Sequence, residues 1–256
     1  MQILGLDFFD GGVAAAVDRA LEHRGLIVAP SGTCFRRLQR DEIYRNAMTR
    51  AELVLPDSGF MVLLWRLLRG KRIPRISGLA YLKELLGRAE FRGDRSVLWV
   101  LPNENARDQT LLWLQSHGFL TTADDCYIAP IYGKIVEDPA LLERVHSRQP
   151  GHIVIALSGG VQEKLGSYLR EKSLPPPDLP SPASDLGYPA IHCIGAALGF
   201  ITGYQVSIPT WADRLYLGWL FRLLSNPRRF LPRAASALAL PGLILKCGER
   251  LPPAAA

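Results

Sequence analysis

The sequence predicts an α/β fold: a Rossmann-like, mainly parallel sheet with helices on both faces. Three observations point there. Six short apolar runs alternate with stretches whose apolar residues recur at intervals of three and four. Neighbouring parallel strands need long crossover connections, and helices of this kind supply them. The chain has 256 residues, 48% of them apolar and 21% charged, which suits one large globular domain or a domain with an appendage and excludes disordered and fibrous classes.

In chain order, Ile3 to Phe9, Leu26 to Ala29, Leu53 to Leu55, Val97 to Leu101, Ile153 to Leu157 and Ile191 to Ile194 read as strands. Between them, Val13 to Arg24, Phe35 to Arg50, Phe60 to Arg69, Leu79 to Arg88, Arg107 to His117 and Gln162 to Lys172 read as helices. Leu174 to Pro189 is proline-rich and reads as a loop or insertion, because proline fits neither a helix interior nor a central strand. After Gly203 the alternation stops. A boundary near Val206 divides a 1–205 α/β domain from a 206–256 helical, basic appendage.

In sheets of this class, ligands sit beyond the carboxyl ends of the strands. The residues there are Pro30-Ser31, Pro56-Asp57-Ser58-Gly59, Ser77-Gly78, Pro102-Asn103 and Ser158-Gly159-Gly160. Asp57 stands at a strand's end before a glycine turn, where a carboxylate serves as a general base or orients a hydroxyl; the competing reading is a helix N-cap. Ile153 to Glu163 reads as strand, glycine pair and helix. Amides at such a helix start bind phosphate, but neither G-x-x-x-x-G-K-[ST] nor G-x-G-x-x-G is present, so no ATPase or dinucleotide fingerprint is supported. Gln162 and Glu163 fall in the first helical turn, where a carboxylate also offsets the dipole. Arg75, read as standing at a strand beside a glycine turn, carries the planar fork that clamps phosphate; the plainer reading is a surface arginine. The five histidines show neither H-E-x-x-H spacing nor a Ser/His/Asp set, so no metal and no catalytic triad are expected.

Charge separates the two regions. Lys and Arg total 30 against 24 Asp and Glu. From Val206 onward, Arg214, Arg222, Arg228, Arg229, Arg233, Lys246 and Arg250 face only Asp213 and Glu249, while the first 205 residues are nearly neutral. Trp211, Leu215, Trp219, Leu220, Leu223 and Leu224 lie among these arginines at helical spacing. That mixture suits an interfacial helix on an anionic membrane, or a helix packed on the body with its arginines in solvent. A groove tracking nucleic acid would be more polar, so no nucleic-acid partner is expected. Ala234 to Leu245 is too short to span a bilayer and contains Pro241. Cys34, Cys126, Cys193 and Cys247 are scattered, which suits a reducing compartment, and Asp7 interrupts the apolar N-terminus where a signal peptide would need an unbroken core.

Taken together, these segments resemble the WecG/TagA/CpsF family of bacterial glycosyltransferases. The likeness runs through Ile3-Leu-Gly-Leu-Asp-Phe-Phe9, Arg50-Ala-Glu-Leu-Val-Leu-Pro-Asp-Ser-Gly59, Arg75-Ile-Ser-Gly78, Gly159-Gly-Val-Gln-Glu163 and Gly195-Ala-Ala-Leu-Gly-Phe-Ile-Thr-Gly203. It continues in Ile208-Pro-Thr-Trp211, Leu217-Gly-Trp-Leu-Phe-Arg-Leu223 and Asn226-Pro-Arg-Arg229. The chain departs from the family pattern with Ala29-Pro30-Ser31 for Thr-x-Asn, Ser58 for the glycine of Asp-Gly, and Leu198-Gly199 for Phe-Asp.

The resemblance implies an inverting transfer of a sugar, typically N-acetylmannosamine, from a UDP-sugar to a lipid-diphosphate-linked amino sugar. No cofactor is implied beyond the donor itself. Asp57 would be the base and Arg75 a phosphate or acceptor contact, with Gly159, Gly160 and Gln162 in the donor pocket. Ser31, Ser58, Gly59 and Glu163 are the further candidate substrate contacts. Arg214, Arg222, Arg228 and Arg229 would meet the membrane or the acceptor. The expected location is cytoplasmic, peripheral on the inner face of the plasma membrane, with a homo-oligomer left open. The alternative is a divergent, non-catalytic nucleotide-sugar or glycolipid-binding homologue.

Overall fold

A computed structural model describes residues 1–91, 97–173, 189–205 and 237–255. Six parallel strands form the main sheet: β3 (Gly25–Val28), β4 (Leu53–Val54), β5 (Val97–Leu101), β6 (Cys126–Ile128), β7 (His152–Ile155) and β8 (Ala190–Cys193). Their spatial order is β4-β3-β8-β7-β5-β6. The register is continuous across the middle, with Ile27 beside His192, His192 beside Val154, and Val154 beside Trp99. The sheet is the α/β architecture that the alternation predicts.

Side chains alternate strictly between two cores, as a pleated strand requires. Leu26, Val28, Leu98, Val100, Ile153, Ile155, Ile191 and Cys193 point to one layer. There they meet α3 (Glu42–Thr49), α4 (Gly59–Arg69), α7 (Pro139–Arg148), α8 (Gln162–Lys172) and α10 (Leu240–Cys247). Ile27, Leu53, Leu55, Trp99, Leu101 and Val154 point to the other, against α1 (Val13–His23), α5 (Gly78–Leu86), α6 (Glu104–Ser116) and α9 (Ala197–Thr202). The second layer buries one polar chain. The Tyr81 hydroxyl lies 3.0 Å from His192 Nδ1, and His192 Nε2 lies 3.2 Å from His152 Nδ1. Burial, and then the neighbouring His152, hold His192 well below its ordinary pKa.

Several segments differ from the sequence reading. Ile3 to Phe9 is not a strand of the main sheet. It is a tight antiparallel hairpin of β1 (Gln2–Ile3) and β2 (Leu6–Asp7), turned through Leu4 and Gly5, both at positive φ. Phe8 and Phe9 reach the sheet, Phe8 as a bridge to Val54 and Phe9 through its N–H to Val54 O at 3.0 Å. The stretch from Phe35 to Arg50 is two helices, α2 (Arg37–Arg40) and α3, because Asp41 leaves the helical conformation and accepts from Tyr44 N to cap the second. Arg75 lies on irregular backbone between α4 and α5 rather than at a strand.

Of the appendage, residues 206–236 fall outside the described residues, and with them Arg214, Arg222, Arg228 and Arg229. The segment 237–255 packs on the body. Leu240, Leu243 and Ile244 are buried in the first core, and Leu4 N and Gly5 N donate to Gly248 O and Glu249 O. Arg69 Nη2 donates to Ile244 O at 3.0 Å, and Arg45 donates to Pro252 O. No helix among the described residues is long and apolar enough to cross a membrane.

Candidate functional site

The turns that follow β3, β4, β7 and β8 meet at one edge of the sheet. Beyond β3 the chain leaves through α2 and α3 on the first face, and beyond β8 it leaves through α9 on the second. Where neighbouring connections part in this way, a crevice opens at the carboxyl ends of the strands.

Asp57 follows β4 within this edge. It does not cap α4. Ser58 does, its Oγ accepting from Met61 N at 3.2 Å, so the Asp57 carboxylate serves elsewhere. Its Oδ1 accepts from Gly78 N at 2.9 Å, the first residue of α5, whose own cap is Ser77. Arg75 Nε donates to the Asp57 carbonyl at 2.9 Å. Asp57 and Arg75 are both half-buried, so the carboxylate is oriented from behind without being closed away. The turn carrying Gly78 lies against β8: a Cβ there would come within 3.2 Å of Ile194 O.

The Ser158 to Gln162 turn is built differently. Gly160 adopts a φ of +91°, which suits glycine, and its N–H donates to Glu163 Oε2 at 2.6 Å. Gln162 Oε1 accepts from Gly195 N at 2.7 Å, and Gln162 Nε2 donates to Cys193 O at 3.3 Å. Gln162 is 2% exposed and Glu163 0%. Burial pushes the Glu163 carboxyl above its ordinary pKa, against the hydrogen bonds and the Arg37 charge that favour ionisation. The Gly160 amide proposed for phosphate is therefore already engaged, and Gln162 and Glu163 brace the backbone from inside.

The β3 turn joins these two sides. A Cβ on Gly32 would lie 2.8 Å from Ser58 Oγ, and one on Gly159 would lie 2.9 Å from Cys34 Sγ and 3.9 Å from Ser31 Oγ. Ser31 Oγ is 3.0 Å from Thr33 Oγ1 and 3.3 Å from Cys34 Sγ. Ser31, Asp57, Ser58, Gly59, Arg75, Gly159, Gly160, Gln162 and Glu163 thus share one edge, linked turn to turn. Among the described residues, no three His, Cys, Asp or Glu side chains are grouped to hold a metal.

Sequence reasoning missed Arg37. It is exposed, and a Cβ on Gly160 would sit 2.7 Å from its Cζ, which places a guanidinium directly over the glycine turn. A signal was present: Arg36, Arg37 and Arg40 cluster just beyond a strand's carboxyl end. Such an edge, with an oriented carboxylate on one side and an arginine over a helix start on the other, can take a proton and hold a diphosphate.

A family model described as "Glycosyl transferase WecG/TagA/CpsF family" matches residues 1–253. A Bacillus subtilis (strain 168) protein named N-acetylglucosaminyldiphosphoundecaprenol N-acetyl-beta-D-mannosaminyltransferase is 26% identical over 192 residues, covering 75% of this chain and 68% of that one.

Proposed function

The chain belongs to the WecG/TagA/CpsF family of glycosyl transferases, and from that premise we propose that it moves an N-acetylmannosamine-like sugar from a UDP-sugar to a lipid-diphosphate-linked amino sugar, with inversion. The observation that carries the proposal is Asp57: half-buried at the carboxyl edge of the sheet, oriented through Gly78 N, and joined turn by turn to the Gly159 to Glu163 loop. The name of the Bacillus relative supports the sugar and the acceptor class.

In this reading, Asp57 removes the proton from the acceptor hydroxyl as that oxygen attacks the anomeric carbon. The bond to the donor's phosphate oxygen breaks, and the electron pair leaves with the diphosphate. A positioned base contributes roughly 10²- to 10⁴-fold in rate. The leaving diphosphate lies at the N-terminus of α8, whose dipole favours negative charge, under the Arg37 guanidinium. Arg75 fixes the Asp57 backbone and stands beside the reacting groups. Gln162 and Glu163 keep the α8 turn in place without touching substrate. Arg214, Arg222, Arg228 and Arg229 are proposed to reach the membrane or the acceptor, which sets the protein on the cytoplasmic face of the bilayer.

The test is a transfer assay with UDP-N-acetylhexosamines and a short-chain lipid-diphosphate acceptor, with product configuration read by NMR. A disaccharide formed with inverted configuration is expected. Binding of donor without hydrolysis or transfer across the series would leave the non-catalytic alternative standing.

A further inference from the structure

Helix α4 is apolar on both sides. Met61, Val62 and Trp65 enter the first core and Leu64 and Leu68 pack against it, yet Phe60, Leu63 and Leu67, at intervals of three and four, are exposed. Leu63 is 57% exposed and Leu67 76%. Exposed apolar side chains in a row mark an interaction surface. The neighbouring segment carries exposed leucines as well: Leu238 in the turn before α10 and Leu245 within it. α10 is fixed to α4 through the Arg69 bond to Ile244 O and the 2.5 Å ion pair of Lys71 with Glu249.

The charge on these two segments is mainly positive. Arg66, Arg69, Lys71, Arg72, Lys246 and Arg250 are exposed, and the exposed acid among them, Glu249, is paired with Lys71. No Asp or Glu occurs in the sequence between Asp57 and Glu84. Two copies joined through this face would oppose like charges, whereas an anionic leaflet complements them and accepts the leucines. Phe60 follows Asp57 by three residues, so the surface begins at the mouth of the crevice.

We propose that the outward stripe of α4, with the exposed leucines and cations beside α10, beds on an anionic lipid surface and holds the Asp57 crevice at the plane of the headgroups. The orientation rests on the reading of the acceptor as lipid-linked, whereas docking itself is read without any transfer reaction. The contact combines α4 of the α/β body with the α10 end of the appendage and is additional to residues 206–236.

The test uses the full chain and its Leu63→Gln/Leu67→Gln variant, co-sedimented with vesicles of phosphatidylcholine alone or mixed with phosphatidylglycerol. The parent should prefer the mixed vesicles and lose binding as salt rises, since screening shortens the field to about 10 Å at 0.1 M. The double variant, with both leucines withdrawn from the interface, should bind roughly tenfold more weakly while keeping the parent's circular dichroism and its transfer to a detergent-dispersed acceptor. If it fails to fold, Arg66→Gln/Arg72→Gln makes the same test from the charged rim. Equal vesicle binding by variant and parent would overturn the proposal. So would a parent dimer that the leucine variant converts to monomer with vesicle binding unchanged, because the stripe would then be covered by a second copy. Docking lost with transfer intact, and transfer absent with docking intact, are separate results, so this inference and the assigned reaction fail independently.

Discussion

Two carboxylates stand at the same edge of the sheet, and each accepts a backbone amide. Asp57 takes the N–H of Gly78 at 2.9 Å, and Glu163 takes that of Gly160 at 2.6 Å. They differ in burial. Asp57 is half-buried, whereas Glu163 is fully enclosed. A carboxylate held by an amide yet open to a cleft can exchange a proton with a bound hydroxyl; an enclosed one can only hold its loop. On the proposed reading, the same bond holds a reacting group on the β4 side and a brace on the β7 side.

The sharpest way to break that comparison is to make the same chemical change on both sides. Asp57→Asn keeps the acceptor for Gly78 N and removes the base, so transfer should fall at least a hundredfold at unchanged melting temperature. Glu163→Gln keeps the acceptor for Gly160 N and should transfer within about threefold of the parent. Reversed ranks in one transfer assay would exchange the two roles.

Removing the clamp on the β7 side should cost stability. Gln162→Ala leaves the half-buried Gly195 N without its side-chain partner, while Cys193 O keeps the bond from Ala29 N, and a buried unsatisfied group costs about 1–3 kcal/mol. Denaturant unfolding should show a loss of about 1 kcal/mol or more. An unchanged midpoint would show that the turn needs no brace.

The smallest expected effect is a pH slope. Burial raises the Glu163 carboxyl from the ordinary carboxylate value of 4.5. Between that value and its raised one the folded protein binds more protons than the unfolded chain, so this group makes stability fall as pH rises through that window. Glu163→Gln removes its contribution, and melting curves collected from pH 4.5 upward should be flatter for the variant by about 1 kcal/mol or less. A steeper loss in the variant would mean that the carboxylate is bound in its charged form.

Much of this comparison is legible in the sequence. Strands β3, β4, β5, β7 and β8 follow from short apolar runs, and the turns beyond them carry Asp57, Arg75 and Gly159 to Glu163 to one edge. Strand β6 escaped because Cys126–Ile128 is three residues long at the sheet's margin, too short for a period. Helix α7 escaped although its start is signalled by Asp138, whose side chain caps Leu141 N, and by Pro139 in the first turn. The roles of Gln162 and Glu163 were hidden for a different reason. First-turn positions normally face solvent, but α8 is packed between α3 and the sheet, so these side chains point at the end of β8 and at their own loop. Only tertiary placement separates a ligand contact from a brace. It also decides the cap, since the adjacent residues Asp57 and Ser58 are both good N-caps by type.

The central claim is that Asp57 acts on a proton rather than on binding. It is tested most directly by measuring donor affinity and transfer rate of Asp57→Asn on one preparation. The account predicts a donor Kd within about threefold of the parent and turnover at least a hundredfold lower. Transfer within about threefold of the parent would contradict it.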